Sequence, residues 1–520
     1  MDLTRMRTFD DDEVVDAVVV GTGAGGAPLL SVLAAAGWRV VALEAGSVVP
    51  DEGFVADETE ATHINWMEER HSGGGTPTAF GPNNSGFGVG GSTLHWGAFT
   101  PRPDDDDLAL RSRAGVGEDW PFGLDELRPY LERVEHTIGV SGPAHYPWDP
   151  DRRYRWSPVP RNTSAGVMAA GCAAWGIRAT DAPAAVLPAP EAGRGGCVNC
   201  GLCHQGCRTG AKASTANTYL PAAVAAGAEI RPDARVVGIT RDEKEEVDGV
   251  VYVRDGVERR QRCANVVLAA GGVETPRLLL HTGLANRSGQ VGRHFMAHGA
   301  TQVWGRFDDA MRAYRGYPSS LITEDFRRPA GADFAGGYLI QSLGAMPATF
   351  ATTLVRGAGL WGRDLVDAMT AYPQMAGVGV NAECLPSEQN TLILSEETDA
   401  FGVPIAEVSF TAGDNEDAVR AHAVRTMTAV LEAAGARSTV VVERTAHTIG
   451  TARMSADPDR GVVDPDGRSH DIANLWLCDN AVFPSSMIAN PALTIMALSL
   501  RTAERMLAGS VSGRRGRARG

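Results

Sequence analysis

The sequence predicts an α/β protein: a parallel-sheet domain, discontinuous in the chain, with an α+β domain built on an antiparallel sheet inserted into it. Three observations predict this. A strand–glycine–helix–strand unit opens the chain, a second strand–glycine–helix unit appears near its middle, and period-two alternation fills much of 300–412. A chain of 520 residues is also too long for one ordinary core, so two closely packed domains are expected.

The first unit begins at residues 14–20, VVDAVVV, a β-branched run that reads as a buried parallel strand. It enters GTGAGG, which spells G-x-G-x-x-G at Gly21, Gly23 and Gly26. A helix continues from Leu29 to Ala36, with Gly37 in the C-cap role, and a second strand, WRVVALEAG (38–46), places Glu44 eighteen residues beyond Gly26. This is the grammar of a Rossmann-like dinucleotide site. Glycines allow a tight turn and close backbone approach, the helix N-terminus faces a pyrophosphate, and the acid takes ribose hydroxyls. The same acid would repel the extra phosphate of NADP.

Residues 72–103 are glycine-rich and hold GVGGSTLHWGAFTPR (88–102), a stretch suited to backbone packed against a flat or anionic ligand. Helical patterns follow at 124–138, 162–176 and 215–227, then strands near 228–241 and 249–262. ANVVLAAGGVETPRLLL (264–280) is the second strand–glycine–helix unit. A helix is expected over 413–435, a strand at 474–480 and a final helix over 490–506. Dinucleotide-type elements thus fall in three separated blocks.

Composition excludes several function classes. The chain is 43% hydrophobic and 21% charged, with no apolar run of about 18 residues, so no membrane span is expected. The N-terminus, MDLTRMRTFDDDEVVD, is acidic and lacks an apolar core, which points to a cytoplasmic protein. A net charge of −15 argues against nucleic acid and suits a small neutral or cationic substrate. The acidic run Asp104–Asp107 reads as a solvated loop, and the basic end GRRGRARG (513–520) as a disordered tail.

Four of the eight cysteines, Cys197, Cys200, Cys203 and Cys207, lie in CVNCGLCHQGC with the spacing C-x2-C-x2-C-x3-C. That is the spacing of a ferredoxin cluster loop, although Arg208 replaces the usual proline and no second run exists. Zinc and a purely structural loop are the alternatives.

Six stretches in order, GTGAGG…LEAG, GVGGSTLHWGAFTPR, LAAGGVETPRLLL, VGRHFMAH (291–298), HTIGTARM…GVVD (447–464) and LCDNAVFPSSMIANPALTIMAL (477–498), resemble the GMC (glucose–methanol–choline) oxidoreductases, an FAD enzyme family. The resemblance implies an FAD-binding domain of 1–110, 205–300 and 440–510, a substrate domain of 111–204 and 301–439, and a tail of 511–520. It implies oxidation of an alcohol CH–OH group by hydride transfer to flavin N5. His447 falls at the family's general base and Asn490 at its second active-site residue. A neutral imidazole with a pKa near working pH suits removal of a hydroxyl proton, and a neighbouring amide can orient the oxygen. Asn490 could also cap the final helix.

By the same resemblance Asp479 meets the flavin's ribityl and pyrophosphate, Val237 the adenine, and Gly90, Gly91, Ser92 and Thr93 the flavin itself. The reading STLHW is similar to the pyranose oxidase and gluconate or sorbitol dehydrogenase branch, where a histidine can carry flavin covalently, so His95 is a candidate for that link. Sugar dehydrogenases of the superfamily hold an iron–sulfur cluster in a comparable cysteine segment, which makes the 197–207 loop a candidate relay and a dehydrogenase the alternative to an oxygen-using oxidase. The implied substrate is a sugar, polyol, amino-sugar or sterol alcohol, and the implied acceptor is O2 or another electron acceptor. A non-catalytic flavin electron-transfer protein is the rival class.

Overall fold

The structure is a computed structural model and describes residues 3–4, 6–76 and 85–517. One layer is a five-stranded sheet whose strands come from distant parts of the chain: β1 (Ala17–Val20), β2 (Val40–Leu43), β3 (Glu229–Arg231), β4 (Val266–Leu268) and β5 (Leu475–Leu477). Their order is β5-β4-β1-β2-β3 and every pairing is parallel, with Val18 between Val41 and Val266. All four residues of β1 are buried, as a strand covered on both faces requires. Helix α1 (Gly26–Ala35) follows β1, α2 (Gly271–Thr282) follows β4, and α3 (Ala492–Arg517) follows β5. Helices α1 and α3 pack together, and the Leu29 N–H donates to Ser499 Oγ at 2.9 Å.

The second layer is a six-stranded antiparallel sheet in the order Ser438–Val442, Gln302–Arg306, Met375–Val380, Ile340–Leu343, Leu321–Thr323, Thr180–Asp181. Alternation decides its two faces. Val303, Ile340 and Val378 enter a separate core with Met168, Met427 and Val430 from the helices Thr163–Ala174 and Asp414–Ala433. Those helices approach so closely that a Cβ on Gly171 would lie 2.0 Å from the Val430 carbonyl oxygen. The opposite face presents Gln302, Trp304, Gln341 and Leu343 to a cavity between the layers. Trp304 lies across Gly377, where a Cβ would fall 2.6 Å from the indole.

A two-stranded antiparallel ribbon, Met296–Gly299 with Thr445–Ile449, connects the layers and sets His298 opposite Ala446, next to His447.

Three expectations meet a different structure. The stretch 300–412 is not strand throughout: helices Pro347–Ala358 and Gly362–Thr370 interrupt it, the first opened by proline and closed by Gly359 at φ 67°. The run Asp104–Asp107 is not a solvated loop. Asp104 caps the short helix Asp105–Leu108 in a capping box, and the Asp107 side chain is fully buried against Arg327 and Arg328 at 2.9 and 3.0 Å. Burial, with Asp107 beside it, pushes the Asp104 carboxyl up to about 6. The final helix runs to Arg517, so the expected tail of 511–520 falls partly in α3, and residues 518–520 lie outside the described residues.

Removing a buried charge strands its partners. Asp107→Ala leaves two guanidiniums without their shared carboxylate and is expected to destabilise the fold by about 3 kcal/mol or more. A clear fall in the urea-unfolding midpoint is the expected result; a wild-type midpoint contradicts it.

Candidate active site

The C-terminal ends of β1, β4 and β5 meet where side chains have no room. Gly21 adopts φ 98°, and a Cβ there would lie 2.5 Å from the Ala269 oxygen. On Gly26 it would lie 2.0 Å from the Gly21 oxygen, and on Gly25, which the motif spelling passes over, 2.0 Å from the Cys478 oxygen. Helix α1 begins there without a capping side chain, so its first turn suits an anionic group. Glu44 is buried beside it and accepts from the Thr22 N–H at 3.0 Å and the Thr22 hydroxyl at 2.7 Å. Burial raises its pKa, and the Thr22 hydroxyl is the largest opposing influence.

Hydrogen bonds tie this turn to the second glycine block. The Gly90 N–H donates to Thr22 Oγ1 at 3.0 Å, and the Thr215 hydroxyl to the Thr22 carbonyl at 2.8 Å. Gly90 and Gly91 take φ 118° and 53°, Ser92 accepts from the Gly86 N–H, and Thr93 donates back to Gly90 O. Asp479, just past β5, accepts from the Gly271 N–H at 2.8 Å and from Thr275 Oγ1, which fixes the start of α2. Burial raises the Asp479 pKa as well.

Between the layers lies a cavity of about 430 Å³ that runs from Gly21, Gly23 and Glu44 past Gly91, Ser92, Thr93 and His95 to Asp479, His447 and Asn490. It unites most of the residues expected from the sequence. Gly26 and Gly90 stand behind its wall, and Val236, the neighbour of Val237, lines it. A register shift between Val236 and Gly238 turns that strand locally. Trp66 Nε1, His95 Nε2 and Gln205 Oε1 are buried on this wall without a hydrogen-bond partner. Orphaned polar atoms, a glycine cradle and the buried acid Glu44 at the end of β2 together fit a dinucleotide such as FAD.

At the far end His447 occupies φ 60°, a conformation uncommon for non-glycine residues. Its Nδ1 lies 2.7 Å from His298 Nδ1, while His298 Nε2 faces the carbonyl oxygens of Met487 at 2.9 Å and Ser486 at 3.2 Å. Carbonyls only accept, so His298 carries its proton on Nε2. A neutral His298 then accepts at Nδ1, His447 donates from Nδ1, and the lone pair of His447 stays on Nε2. Burial holds both rings below the usual histidine range; for His447, His298 and Arg444 push the same way. Asn381 Nδ2 donates to Asn490 Oδ1 at 3.4 Å, which leaves the Asn490 NH2 as a donor. Asn490 stands two residues ahead of α3, with its oxygen engaged by Asn381. His298 and Asn381 carried no mark in the sequence that set them apart, although His298 ends VGRHFMAH.

The cysteine loop lies behind the same wall. Its turn Cys203–Gln205 sends His204 and Gln205 to the cavity, and His204 Nδ1 donates to the His95 carbonyl at 3.2 Å. Buried Lys212 binds the carbonyls of Leu94 and Trp96 at 2.8 and 2.9 Å, and burial lowers its pKa to about 8. All four thiols are free, and burial pushes Cys203 up to about 12 and Cys197 upward too. Among the described residues no group of three or more His, Cys, Asp or Glu side chains is arranged to hold a metal ion. The four thiols act on one another electrostatically, yet no ligand grouping supports an iron–sulfur cluster in the loop, and no electron path is drawn through it. Among the described residues no helix is long and apolar enough to cross a membrane.

Comparison with known proteins agrees with the fold. The fructose dehydrogenase large subunit of Gluconobacter japonicus is 29% identical over 95% of this chain and 97% of its own length. The 2-methyl-1,2-propanediol dehydrogenase of Mycolicibacterium austroafricanum is 28% identical over 94% of each chain. The solved formate oxidase of Aspergillus oryzae superposes with a TM-score of 0.68 over 96% of this chain and 99% of its own, at 16% identity, a likeness of fold. Family models described as GMC oxidoreductase match residues 15–300 and 386–499. The chain belongs to the GMC oxidoreductase family.

Proposed function

We propose that this chain oxidises an alcohol CH–OH group to the aldehyde or ketone with FAD, using His447 as the general base. The observation that carries the reading is the His298–His447 contact, which leaves an unprotonated Nε2 on a half-buried, neutral imidazole at the cavity end. Bound FAD would supply the hydride acceptor, N5, held by Glu44, Asp479 and the Gly21–Gly26 and Gly90–Thr93 turns. His447 Nε2 would take the hydroxyl proton, and the Asn490 NH2 would donate to the carbinol oxygen and fix its orientation. His298, anchored on Met487 and Ser486, would act through His447 by holding its tautomer.

The cavity wall opposite the dinucleotide turn carries Gln302, Ser319, Gln341 and Asn381 among Trp304 and Leu343, and Gln341 Oε1 has no partner. Such a wall suits a hydroxylated substrate of the sugar or polyol kind better than a sterol. The relatives named as fructose and 2-methyl-1,2-propanediol dehydrogenases act on small polyhydroxylated molecules of that sort. The unpartnered His95 Nε2 supports the reading of His95 as the anchor of a covalent flavin. Electrons would leave to O2 or to another acceptor, and the same base chemistry serves both.

His447→Ala is expected to slow flavin reduction about 100-fold or more in anaerobic stopped-flow with a polyol panel; near-normal reduction removes the base assignment. His298→Leu frees the tautomer and is expected to lower kcat about tenfold while KM moves little; an unchanged kcat rejects the positioning role.

Because the base works when neutral and its pKa lies well below 6.5, activity is retained as pH falls and is lost only when His447 protonates. The acid limb of the kcat/KM profile should therefore lie below 6.5. A limb at or above that value contradicts the half-buried, neutral imidazole. Flavin colour that stays with the acid-precipitated protein, and leaves it in His95→Ala, is the expected sign of the covalent link; release from wild type rejects it.

A further inference from the structure

Four arginines among the described residues line the cavity, and three are neutralised. Arg70 lies 3.1 Å from Glu274, Arg277 2.8 Å from Asp399, and Arg235 donates to Glu68 at 3.0 Å. All three belong to the dinucleotide end. The fourth, Arg444, has no such partner: its guanidinium makes no ion pair or hydrogen bond with any described residue, and burial alone acts on its pKa, downward. For Arg70 the same burial is opposed first by Glu274. The cavity's carboxylates cannot serve Arg444, since Glu44, Glu274, Asp399 and Asp479 already bind Thr22, Arg70, Arg277 and Thr275.

The place of Arg444 is set by backbone. It lies between strands Ser438–Val442 and Thr445–Ile449, and its carbonyl accepts from the Ala300 N–H at 2.9 Å. The neighbouring Glu443 N–H donates to Gly357 O at 2.8 Å. These bonds hold Arg444 three residues before His447 and against Ala300, on the cavity wall that Gln302 also lines. Its charge reaches His447 and His204. At this end it is the one ionised side chain among the described residues lining the cavity. Arg444 is half-buried and faces the cavity without an ionised partner, and a guanidinium fork matches a carboxylate or phosphate through two parallel hydrogen bonds.

We propose that Arg444 is the specificity residue of the substrate cavity and receives an anionic oxygen group, carboxylate or phosphate, carried by the alcohol. The proposal rests on the alcohol-oxidising reading of the cavity and narrows it: hydroxy acids and anionic sugars are preferred to neutral or cationic alcohols. The local charge thus selects against the cationic substrates that the net charge of −15 would attract. A neutral alcohol would leave the guanidinium unpaired in the complex, and sites built to bind a polar group discriminate strongly against analogues that lack it.

Matched donors test this with the flavin-loaded enzyme and flavin reduction as the readout: glycerol, glycerate, glycerol 3-phosphate and 3-amino-1,2-propanediol, with sorbitol against gluconate. The expected kcat/KM favours the anion of each set by about 100-fold or more, with the amine last. Glycerate and glycerol 3-phosphate separate carboxylate from phosphate recognition. Arg444→Met should shrink the anion-to-neutral ratio at least tenfold, chiefly through KM, and Arg444→Lys should restore part of it. A ratio near one in wild type overturns the proposal while the neutral alcohols still support the oxidoreductase reading. A ratio unchanged in Arg444→Met, with a lowered flavin reduction potential, also overturns it and assigns the cation to the flavin. If no alcohol reduces the flavin, both readings fail.

Discussion

The structure depends on one crossing of backbones. At the ends of β1, β4 and β5, Gly21, Gly25 and Gly26 approach the oxygens of Ala269, Cys478 and Gly21 at distances that exclude any side chain. This contact fuses three stretches separated by hundreds of residues into a single floor. It sets the start of α1 where an anionic group can meet it, and it fixes the direction in which the chain leaves β5. Asp479 and Asn490 are both on that departing segment, so the position of the candidate chemistry follows from the crossing. The threonine links Thr22–Gly90 and Thr22–Thr215 then suspend the second glycine block from the same point.

Above this floor the cavity is electrically divided. Acids and arginines at the dinucleotide end neutralise one another, and at the opposite end a cation stands beside two imidazoles that burial keeps uncharged. Desolvation serves two purposes there. It keeps the proposed base unprotonated, and it raises the strength of every polar contact a substrate would make. The backbone strain at His447 belongs to the same economy, since a left-handed φ is sustained only where the surroundings over-determine it, and here His298 and the ribbon Met296–Gly299 do so.

What could be read from the sequence was what is encoded locally. Gly21, Gly23, Gly26 and Glu44 announce themselves because turn, helix and strand follow within thirty residues, and His447 and Asn490 stand inside contiguous motifs. Contacts made by pairing distant strands left no such mark. His298 meets His447 across 149 residues, and Asn381 meets Asn490 across 109. The run Asp104–Asp107 was misread because its local composition says solvent, whereas Arg327 and Arg328 come from more than 200 residues away. The helices within 347–370 were hidden by the β-branched composition of TFATTLV; Pro347 and Gly359 were the signals that mattered.

The order of the sheet carries a consequence for how the molecule comes into being. β4 is flanked by β1, made among the first twenty residues, and by β5, made at Leu475–Leu477. On a ribosome the first two strands would wait through more than four hundred residues before the edge that completes their floor emerged. Meanwhile the antiparallel layer, complete by Val442, would already be able to assemble. Closing so long a loop costs little more entropy than closing a moderate one, but it is slow and leaves apolar strands uncovered in the interval. The segment 478–490 would enter last, so the cavity would acquire both Asp479 and Asn490 at the closing step of assembly.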